Sequence, residues 1–196
     1  MNDKDNKILS AAYDSFIRYG VKRTTMGDVA QAAGVSRPTL YASYPNKEEL
    51  LGGVIRQCYT DLIRKIRTQA KEAASIDVKL DIYFEHAILS PYDLSQNWPD
   101  AEDVFEFGNQ SAVDAYEAAL IQQKDLLSEL FTDHAENINA HKSSIHELSD
   151  FTVACANKLK KKYKHNTEIK RILRHRHLPK LLVKKKDLRQ MVGRLR

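Results

Sequence analysis

Apolar residues recur at helical spacing along nearly the whole of this 196-residue chain. Near its start, Ile8, Leu9, Ala12, Phe16 and Ile17 occupy positions i, i+1, i+4, i+8 and i+9, which share one face of an α-helix. No stretch alternates apolar and polar residues in the way that a half-buried β-strand does. The pattern therefore predicts an all-α protein.

Residues that cap helices divide the first part of the chain into short elements. Gly20 follows the first apolar stripe and is typical of a left-handed C-cap. Thr25, with Asp28 three residues later, has the spacing of a capping box and begins a second helix, which Gly34 ends. Ser36 then begins a third helix, whose first turn tolerates proline because amides there have no intrahelical partner.

A long fourth helix is predicted from the capping pair Asn46 and Glu49 through Ile66. Two prolines with polar neighbours mark Ser90–Pro99 as a loop. Apolar spacing predicts further helices near residues 77–89, 100–110, 112–138 and 143–163. We therefore expect three parts, with the first boundary inside the fourth helix: a head at 1–50, a helical body at 51–163 and a tail at 164–196.

The segment TTMGDVAQAAGVSRPTLYASYPNKEELL, residues 24–51, carries the functional signal. It predicts two short helices joined by a tight glycine turn, which is the pattern of a helix-turn-helix. The second helix of such a unit enters the major groove of DNA, so it must be anchored on its inner side and polar on its outer side. Leu40 supplies the anchor, and Arg37, Thr39 and Tyr41 are predicted to point outward.

The net charge of +5 hides three unlike segments. Residues 1–56 carry eight Lys or Arg and six Asp or Glu, residues 57–157 carry seven and eighteen, and residues 158–196 carry sixteen and two. A weakly basic head still suits DNA binding, because a few phosphate contacts per head give a steep salt dependence. The acidic middle segment indicates either solvated helix faces or a site for a cationic ligand.

Composition narrows the class of protein further. No apolar run is long enough to span a bilayer, and the polar N-terminus lacks the apolar stretch of a secretory signal. Cys58 and Cys155 are far apart and lack CxxC spacing, so we expect reduced core thiols in the cytoplasm. His134, His141 and His146 lack metal-ligand spacing, and no catalytic constellation is visible. We expect no metal, no cofactor and no enzyme activity.

The helix-turn-helix segment resembles the TetR family of bacterial transcriptional regulators. The resemblance lies in Tyr19-Gly20 at the end of the first helix, in the pair Thr24-Thr25, in the turn VAQAAGVS and in the exit TLYASYPNKEELL. It covers residues 8–55 and leaves residues 56–196 without a specific counterpart. It implies a helix-turn-helix head carried on a helical body that binds a ligand and dimerises.

The resemblance implies a set of residues that read bases. Arg37, Pro38 and Thr39 occupy the exposed positions of the recognition helix. Arg37 is expected to donate two hydrogen bonds to guanine, and Thr39 or the Pro38 ring to touch a thymine methyl group.

It also implies a set of phosphate contacts. Thr25 and Lys47, each at the start of a helix, are expected to bind phosphate groups. Tyr41 and Tyr44 are expected to bind phosphate through their hydroxyls or to pack against sugars. The alternatives are a packing role for Tyr44 and a solvated charge for Lys47.

The family resemblance implies a repressor that binds a palindromic or pseudopalindromic operator in double-stranded DNA as a homodimer. A small-molecule inducer bound to the body would release it, and no membrane partner is expected. The body's aromatic side chains are candidate ligand contacts, although aromatic residues at helical spacing more often form core. These candidates are Tyr83, Phe84, Trp98, Phe105, Phe107, Tyr116 and Phe131.

The tail departs from the family pattern. From Lys160–Lys162 onward the chain is heavily cationic and contains Pro179, where an apolar dimerisation helix is expected. One hypothesis is a reading-frame slip at the adenine-rich codons of Lys160–Lys162, which would leave a regulator that keeps its fold but dimerises poorly. The competing hypothesis is a basic arm that adds phosphate contacts or lies on the acidic body. An all-helical protein that binds no DNA is the remaining alternative.

Overall fold

The computed structural model describes residues 3–90, 110–140, 144–162 and 168–169, and within these ranges every regular element is a helix. A π-helical turn, Glu85–Leu89, continues the helix that ends at Phe84. A 3-10 turn, Thr132–His134, joins the helix that ends at Phe131 to the one that begins at Ala135. The predicted all-α fold is confirmed. The helices are α1 (Asp3–Tyr19), α2 (Met26–Ala32), α3 (Arg37–Ser43), α4 (Lys47–Lys71), α5 (Ile76–Phe84), α6 (Gln110–Phe131), α7 (Ala135–Ala140) and α8 (Ile145–Lys162).

The chain forms two compact units, and the division between them runs through two helices. Of the described residues, the head unit contains 3–61 and 110–120. Of the described residues, the body unit contains 62–90 and those from Ile121 onward. Each of α4 and α6 therefore begins in the head unit and ends in the body unit.

The core of the head unit is built from α1 to α4 and the start of α6. Apolar side chains from one stripe of each helix are buried, and burying a Leu, Ile or Phe side chain contributes about 1.5–3 kcal/mol. Helix α6 adds two small residues, Ala112 and Ala115, to this core. The residues that α1 to α4 contribute to this core are Ile8, Leu9, Ala12, Phe16, Met26, Val29, Ala30, Leu40, Leu50, Leu51, Val54 and Ile55.

Two adjacent glycines let neighbouring elements approach α4 closely. A Cβ atom at Gly52 would overlap the side chain of Ser111 and lie 2.9 Å from its backbone oxygen. A Cβ atom at Gly53 would lie 2.8 Å from Cε1 of Tyr44 and 3.1 Å from Cδ2 of Leu9. The first residues of α6 and the ring of Tyr44 therefore pack directly against the α4 backbone.

The body unit has its own buried core, which includes one polar pair. The hydroxyl of Tyr83 donates to Oε1 of Gln123 over 3.1 Å, and both side chains are buried. At the surface, Arg67 donates twice to Glu129, with distances of 2.8 and 2.6 Å. Such exposed pairs contribute up to about 1 kcal/mol, so the stability of this unit lies mainly in its apolar contacts.

Most of the predicted helices of the body are confirmed in position. The helix predicted near 77–89 is α5 with its π turn, and the one near 143–163 is α8. The helix predicted at 112–138 is α6, the 3-10 turn and α7 in succession. The loop predicted at 90–99, the helix predicted at 100–110 and the tail lie almost entirely outside the described residues.

The structure also bears on the cysteines, on a metal site and on a membrane-spanning helix. Cys58 and Cys155 are free thiols, but Cys58 is exposed. Its predicted core position is wrong, because the inner stripe of α4 passes through Val54, Ile55 and the partly buried Tyr59 instead. In the described ranges no three His, Cys, Asp or Glu side chains come together as a metal site, and no helix has the length and apolarity to cross a bilayer.

Candidate nucleic-acid interface

Helix α2 begins at a complete capping box, as the sequence predicted. Oγ1 of Thr25 accepts a hydrogen bond from the Asp28 amide over 3.2 Å. Oδ2 of Asp28 accepts in return from the amide and the hydroxyl of Thr25, over 2.9 and 2.7 Å. These bonds from Thr25, with a smaller attraction from Arg37, hold the pKa of Asp28 below its usual value. The box therefore carries a negative charge at neutral pH.

The turn from α2 to α3 is a Schellman motif. Gly34 has a φ of +66°, the left-handed conformation that residues with a Cβ atom rarely adopt. Its amide donates to the carbonyl of Gln31 over 3.2 Å, and the Val35 amide donates to the carbonyl of Ala30 over 3.0 Å. Because both bonds are made at the end of α2, the direction in which α3 leaves is fixed.

Helix α3 has the amphipathic character that the helix-turn-helix pattern predicted. Oγ of Ser36 accepts from the Thr39 amide over 3.2 Å and caps the helix, and Leu40 is completely buried. Arg37, Pro38 and Tyr41 are exposed on the other side, whereas Thr39 is half-buried. Arg37, Pro38 and Tyr41 therefore form an exposed surface of α3, and Leu40 anchors the helix in the core.

Lys47 lies at the start of α4 and binds the preceding turn. Its Nζ donates to the carbonyl oxygens of Val21, Lys22 and Thr24, over 2.8, 3.1 and 3.2 Å. An ammonium group has three N–H donors, so these bonds use all of them. The ammonium ties α4 to the turn between α1 and α2 rather than being a solvated charge, and its contact with phosphate stays a prediction.

Tyr44 packs within the head unit. It ends α3, donates its amide to the Leu40 carbonyl over 2.8 Å and is half-buried, with its ring against Gly53. Burial, the main cause, and the nearby carboxylate of Asp5 raise the pKa of its hydroxyl. The ring of Tyr44 thus has a packing role against α4, while phosphate binding by its hydroxyl stays a prediction.

A cleft of about 620 Å³ between α1 and α2 brings further cations to the start of α2. Arg18 and Arg23 line it together with Thr24 and Asp28, and the Arg18 guanidinium lies 5.4 Å from the ring centre of Tyr19. Sequence reasoning did not single out these two arginines. They could have been found from their positions directly before Tyr19-Gly20 and Thr24-Thr25, two of the motifs on which the resemblance rests.

The candidate ligand contacts among the described residues are divided between the two units. Tyr83, Phe84 and Phe131 are buried in the body unit, where the rings of Tyr83 and Phe84 meet edge to face at 5.6 Å. Tyr116 belongs to the head unit, and its ring meets that of Tyr59 at 6.1 Å. The remaining candidates, Trp98, Phe105 and Phe107, lie outside the described residues.

The order of capped helices and the spacing of their motifs have a counterpart among known families. Residues 8–54 match the model of a family described as bacterial regulatory proteins, tetR family. Over these residues the head is similar to the TetR family. The TetR-family match ends within one residue of the resemblance predicted over residues 8–55.

Similarity between this chain and curated relatives covers part of its length. The uncharacterized HTH-type transcriptional regulator YhgD of Bacillus subtilis is 39% identical over 71 residues, which are 36% of this chain and 35% of YhgD. The chain spans about a third of the length of the first curated relatives that it matches.

Likeness in fold extends over both parts of the chain. The fatty acid degradation regulator FadR from Bacillus halodurans superposes with a TM-score of 0.64 at 20% identity, covering 89% of this chain and 94% of that one. FadR from Thermus thermophilus, solved with lauroyl-CoA, gives a TM-score of 0.59 at 22% identity, covering 91% and 93%. At these identities the likeness establishes the fold alone, a helix-turn-helix head on a helical body.

A second family model matches the end of the chain. Residues 150–194 match the Sof1-like domain, which takes in most of the cationic tail in the frame in which it is written. A segment translated in a slipped frame has no reason to match a protein family. The match therefore favours a genuine tail over the frame-slip hypothesis.

Proposed function

We propose that this chain is a transcriptional regulator that binds DNA in a sequence-specific manner, and that it acts as a ligand-responsive repressor. One observation carries the proposal: α3 is capped at Ser36, anchored by the completely buried Leu40, and presents Arg37, Pro38 and Tyr41 to solvent. A short helix braced in this way is the part of a helix-turn-helix that enters the major groove. The TetR family match over residues 8–54 supports the same function.

The recognition residues have distinct roles in this proposal. Arg37, at the first position of α3, reaches a guanine edge with two hydrogen bonds. The hydroxyls of Thr39 and Ser36 lie 2.8 Å apart and bond to each other within the cap. Thr39 therefore offers its methyl group, which together with the Pro38 ring suits the methyl group of a thymine.

In this proposal, phosphate contacts surround the exposed surface of α3. The exposed hydroxyl of Tyr41 and the guanidinium groups of Arg18 and Arg23 supply donors from α3 and from the cleft beside α2. Thr25 uses its hydroxyl proton in the capping box, so it contacts phosphate only when that proton turns away from Asp28. Lys47 contributes mainly by holding the turn that positions Arg23.

Two heads are required for a palindromic operator, so the proposal includes a homodimer. Its recognition helices meet half-sites about 34–36 Å, or a multiple of that distance, apart. A small molecule bound in the body unit shifts the population toward a spacing that does not fit the operator. Lauroyl-CoA, which the FadR structure from Thermus thermophilus contains, is the first compound to try as this effector.

The test selects DNA fragments from a random-sequence library with the full chain and measures their affinity for variants. We expect the selected fragments to be palindromic, and Arg37→Ala with Thr39→Ala to weaken binding by about 1–3 kcal/mol for each base that is no longer read, while relaxing the sequence preference. Arg64→Ala removes the same charge from an exposed position in the body unit and serves as the control. An unchanged preference in the folded Arg37 and Thr39 variant would refute the proposal.

A further inference from the structure

The guanidinium of Arg37 lies directly on the backbone of α2. A Cβ atom at Gly27 would overlap Nη2 of Arg37 and would lie 3.0 Å from its Cζ and 3.1 Å from its Nε. Three atoms of one guanidinium group are thus in contact range of a single backbone position. The side chain from the first residue of α3 crosses to the second residue of α2 and rests there.

The local backbone conformation does not explain why residue 27 is a glycine. Gly27 lies within the first turn of α2 and is not among the glycines with positive φ, so its backbone conformation suits any residue. Glycine within a helix is less favourable than alanine because it loses more conformational freedom on folding. A side chain at residue 27 would collide with the guanidinium of Arg37.

A fixed negative charge lies beside this contact. The carboxylate of Asp28 is held by two hydrogen bonds from Thr25, so it cannot swing away from the start of α2 without breaking the capping box. The charge of Arg37 contributes to the lowered pKa of Asp28, so the two side chains attract each other. The missing side chain of Gly27 and the held carboxylate of Asp28 together form a seat for the guanidinium, which we call the Gly27 seat.

We propose that Gly27 is a positioning residue for the DNA interface, because the Gly27 seat holds the guanidinium of Arg37 in the orientation from which it reads a base. This inference rests on the proposed function. An arginine that is already ordered in the free protein loses less side-chain freedom when it binds, and this loss weakens binding several-fold for each flexible side chain. The seat thus contributes affinity and base preference without touching DNA.

The experiment replaces Gly27 with alanine in the full chain. The clash falls on the far end of a flexible side chain, and alanine favours a helix, so the variant should unfold at the same temperature as the wild type or a higher one. Without DNA, we expect the heteronuclear NOE of the Arg37 Nε–H group to fall from that of an ordered side chain to the value found for the exposed Arg56. An Arg37 group that stays equally ordered in Gly27→Ala refutes the seat.

DNA binding supplies the second measurement, on fragments that the wild-type chain has selected from a random library. Gly27→Ala should weaken binding by roughly three- to tenfold and reduce the preference at one base pair in each half-site. The salt dependence should not change, because no charge is removed. An unchanged or higher affinity overturns the inference.

The double variant separates positioning from a general effect on the head. In a chain that carries Arg37→Ala, the added Gly27→Ala should leave affinity unchanged, because no guanidinium remains to be displaced. An equal loss in both backgrounds overturns the inference. Should the wild type prefer no DNA sequence while Gly27→Ala still frees the Arg37 side chain, the seat stands as a structural feature and the proposed function fails.

Discussion

Single side chains hold the head unit together at points far apart in the sequence. Lys47 is an example, since its ammonium group binds three carbonyl oxygens of the turn between α1 and α2. These carbonyls belong to the turn that follows α1. A cation at this place both satisfies them and complements the negative end of the helix dipole.

Replacing Lys47 with methionine should lower the free energy of unfolding by about 1–2 kcal/mol, because hydrogen bonds from a charged donor are among the stronger ones and this site is only half-buried. Urea denaturation of the full chain measures it. Lys7→Met is the control, since Lys7 forms an exposed pair with Asp3 at 3.3 Å. Equal stabilities for the two variants would mean that the carbonyl contacts contribute nothing.

His86 gives the body unit a stability that depends on pH. Burial is the largest cause, followed by the nearby charge of Lys65, and together they lower the pKa of the imidazole below 6.5. The unfolded chain therefore takes up a proton before the folded chain does as the pH falls through 6.5. Stability is greatest above that pH and decreases below it.

Changing His86 to glutamine should flatten this loss of stability on the acid side of pH 6.5. The measurement is the thermal midpoint of wild type and variant at a series of pH values, from neutral downward. His86 also lies 2.7 Å from Oε1 of Gln69, so the variant is expected to lose some stability at every pH. A variant with the same pH dependence as the wild type would exclude His86 as the source.

At the scale of elements, the Schellman turn sets how α3 is presented. Gly34 has a φ of +66°, and a Cβ atom there would meet nothing within 4 Å. Any cost of a substitution is therefore a cost of backbone conformation alone. Gly34→Ala should destabilise the chain by about 1–2 kcal/mol.

Gly34→Asn is the matched variant for this turn, since asparagine adopts the left-handed conformation more readily than alanine. We expect its unfolding free energy to lie between those of the wild type and Gly34→Ala in urea denaturation. If the alanine and asparagine variants are equally stable, the left-handed conformation of residue 34 is not what limits the turn.

The elements of the head unit were predictable from sequence because their ends are set by local chemistry. Gly20, Thr25, Gly34 and Ser36 each act within four residues of their own position, and each caps a helix as predicted. The contacts of Lys47 and Arg37 were not predictable. They depend on how helices that are separated along the chain approach one another.

The body unit also contains turns that the sequence pattern did not predict. The pattern predicted an uninterrupted helix at 77–89, but a π turn occupies Glu85–Leu89, where Ala87, Ile88 and Leu89 are all buried. Neither this turn nor the 3-10 turn at Thr132–His134 contains a glycine or a proline. Both are irregularities within an apolar pattern that fits a regular helix equally well, so periodicity alone does not reveal them.

At the scale of the whole molecule, charge is distributed very unevenly along the chain. Residues 164–196 carry twelve Lys or Arg and two Asp or Glu, whereas residues 57–157 carry seven and eighteen. A DNA-binding chain with such a tail gains phosphate contacts that do not depend on sequence. The match to the Sof1-like domain favours the tail as a genuine part of the chain.

Deleting residues 164–196 should therefore weaken binding to all DNA sequences alike and make the slope of log affinity against log salt less steep by about 1 or more. A titration at several salt concentrations measures both effects. Changing Lys184–Lys186 to glutamine keeps the length of the chain and should give a smaller change in the same direction. A deletion that leaves affinity and slope unchanged would exclude the basic-arm hypothesis.

The packing of α6 against Gly52 determines where the chain can be cut. Ala112 and Ala115 form part of the same core as the helix-turn-helix, although a long stretch of the chain separates them from Asp61. A fragment that stops at residue 61 would expose the apolar surface that these alanines cover and would lack the packing against Ser111. An autonomous DNA-binding piece must therefore extend through Leu120 or carry polar replacements on the uncovered side of α4.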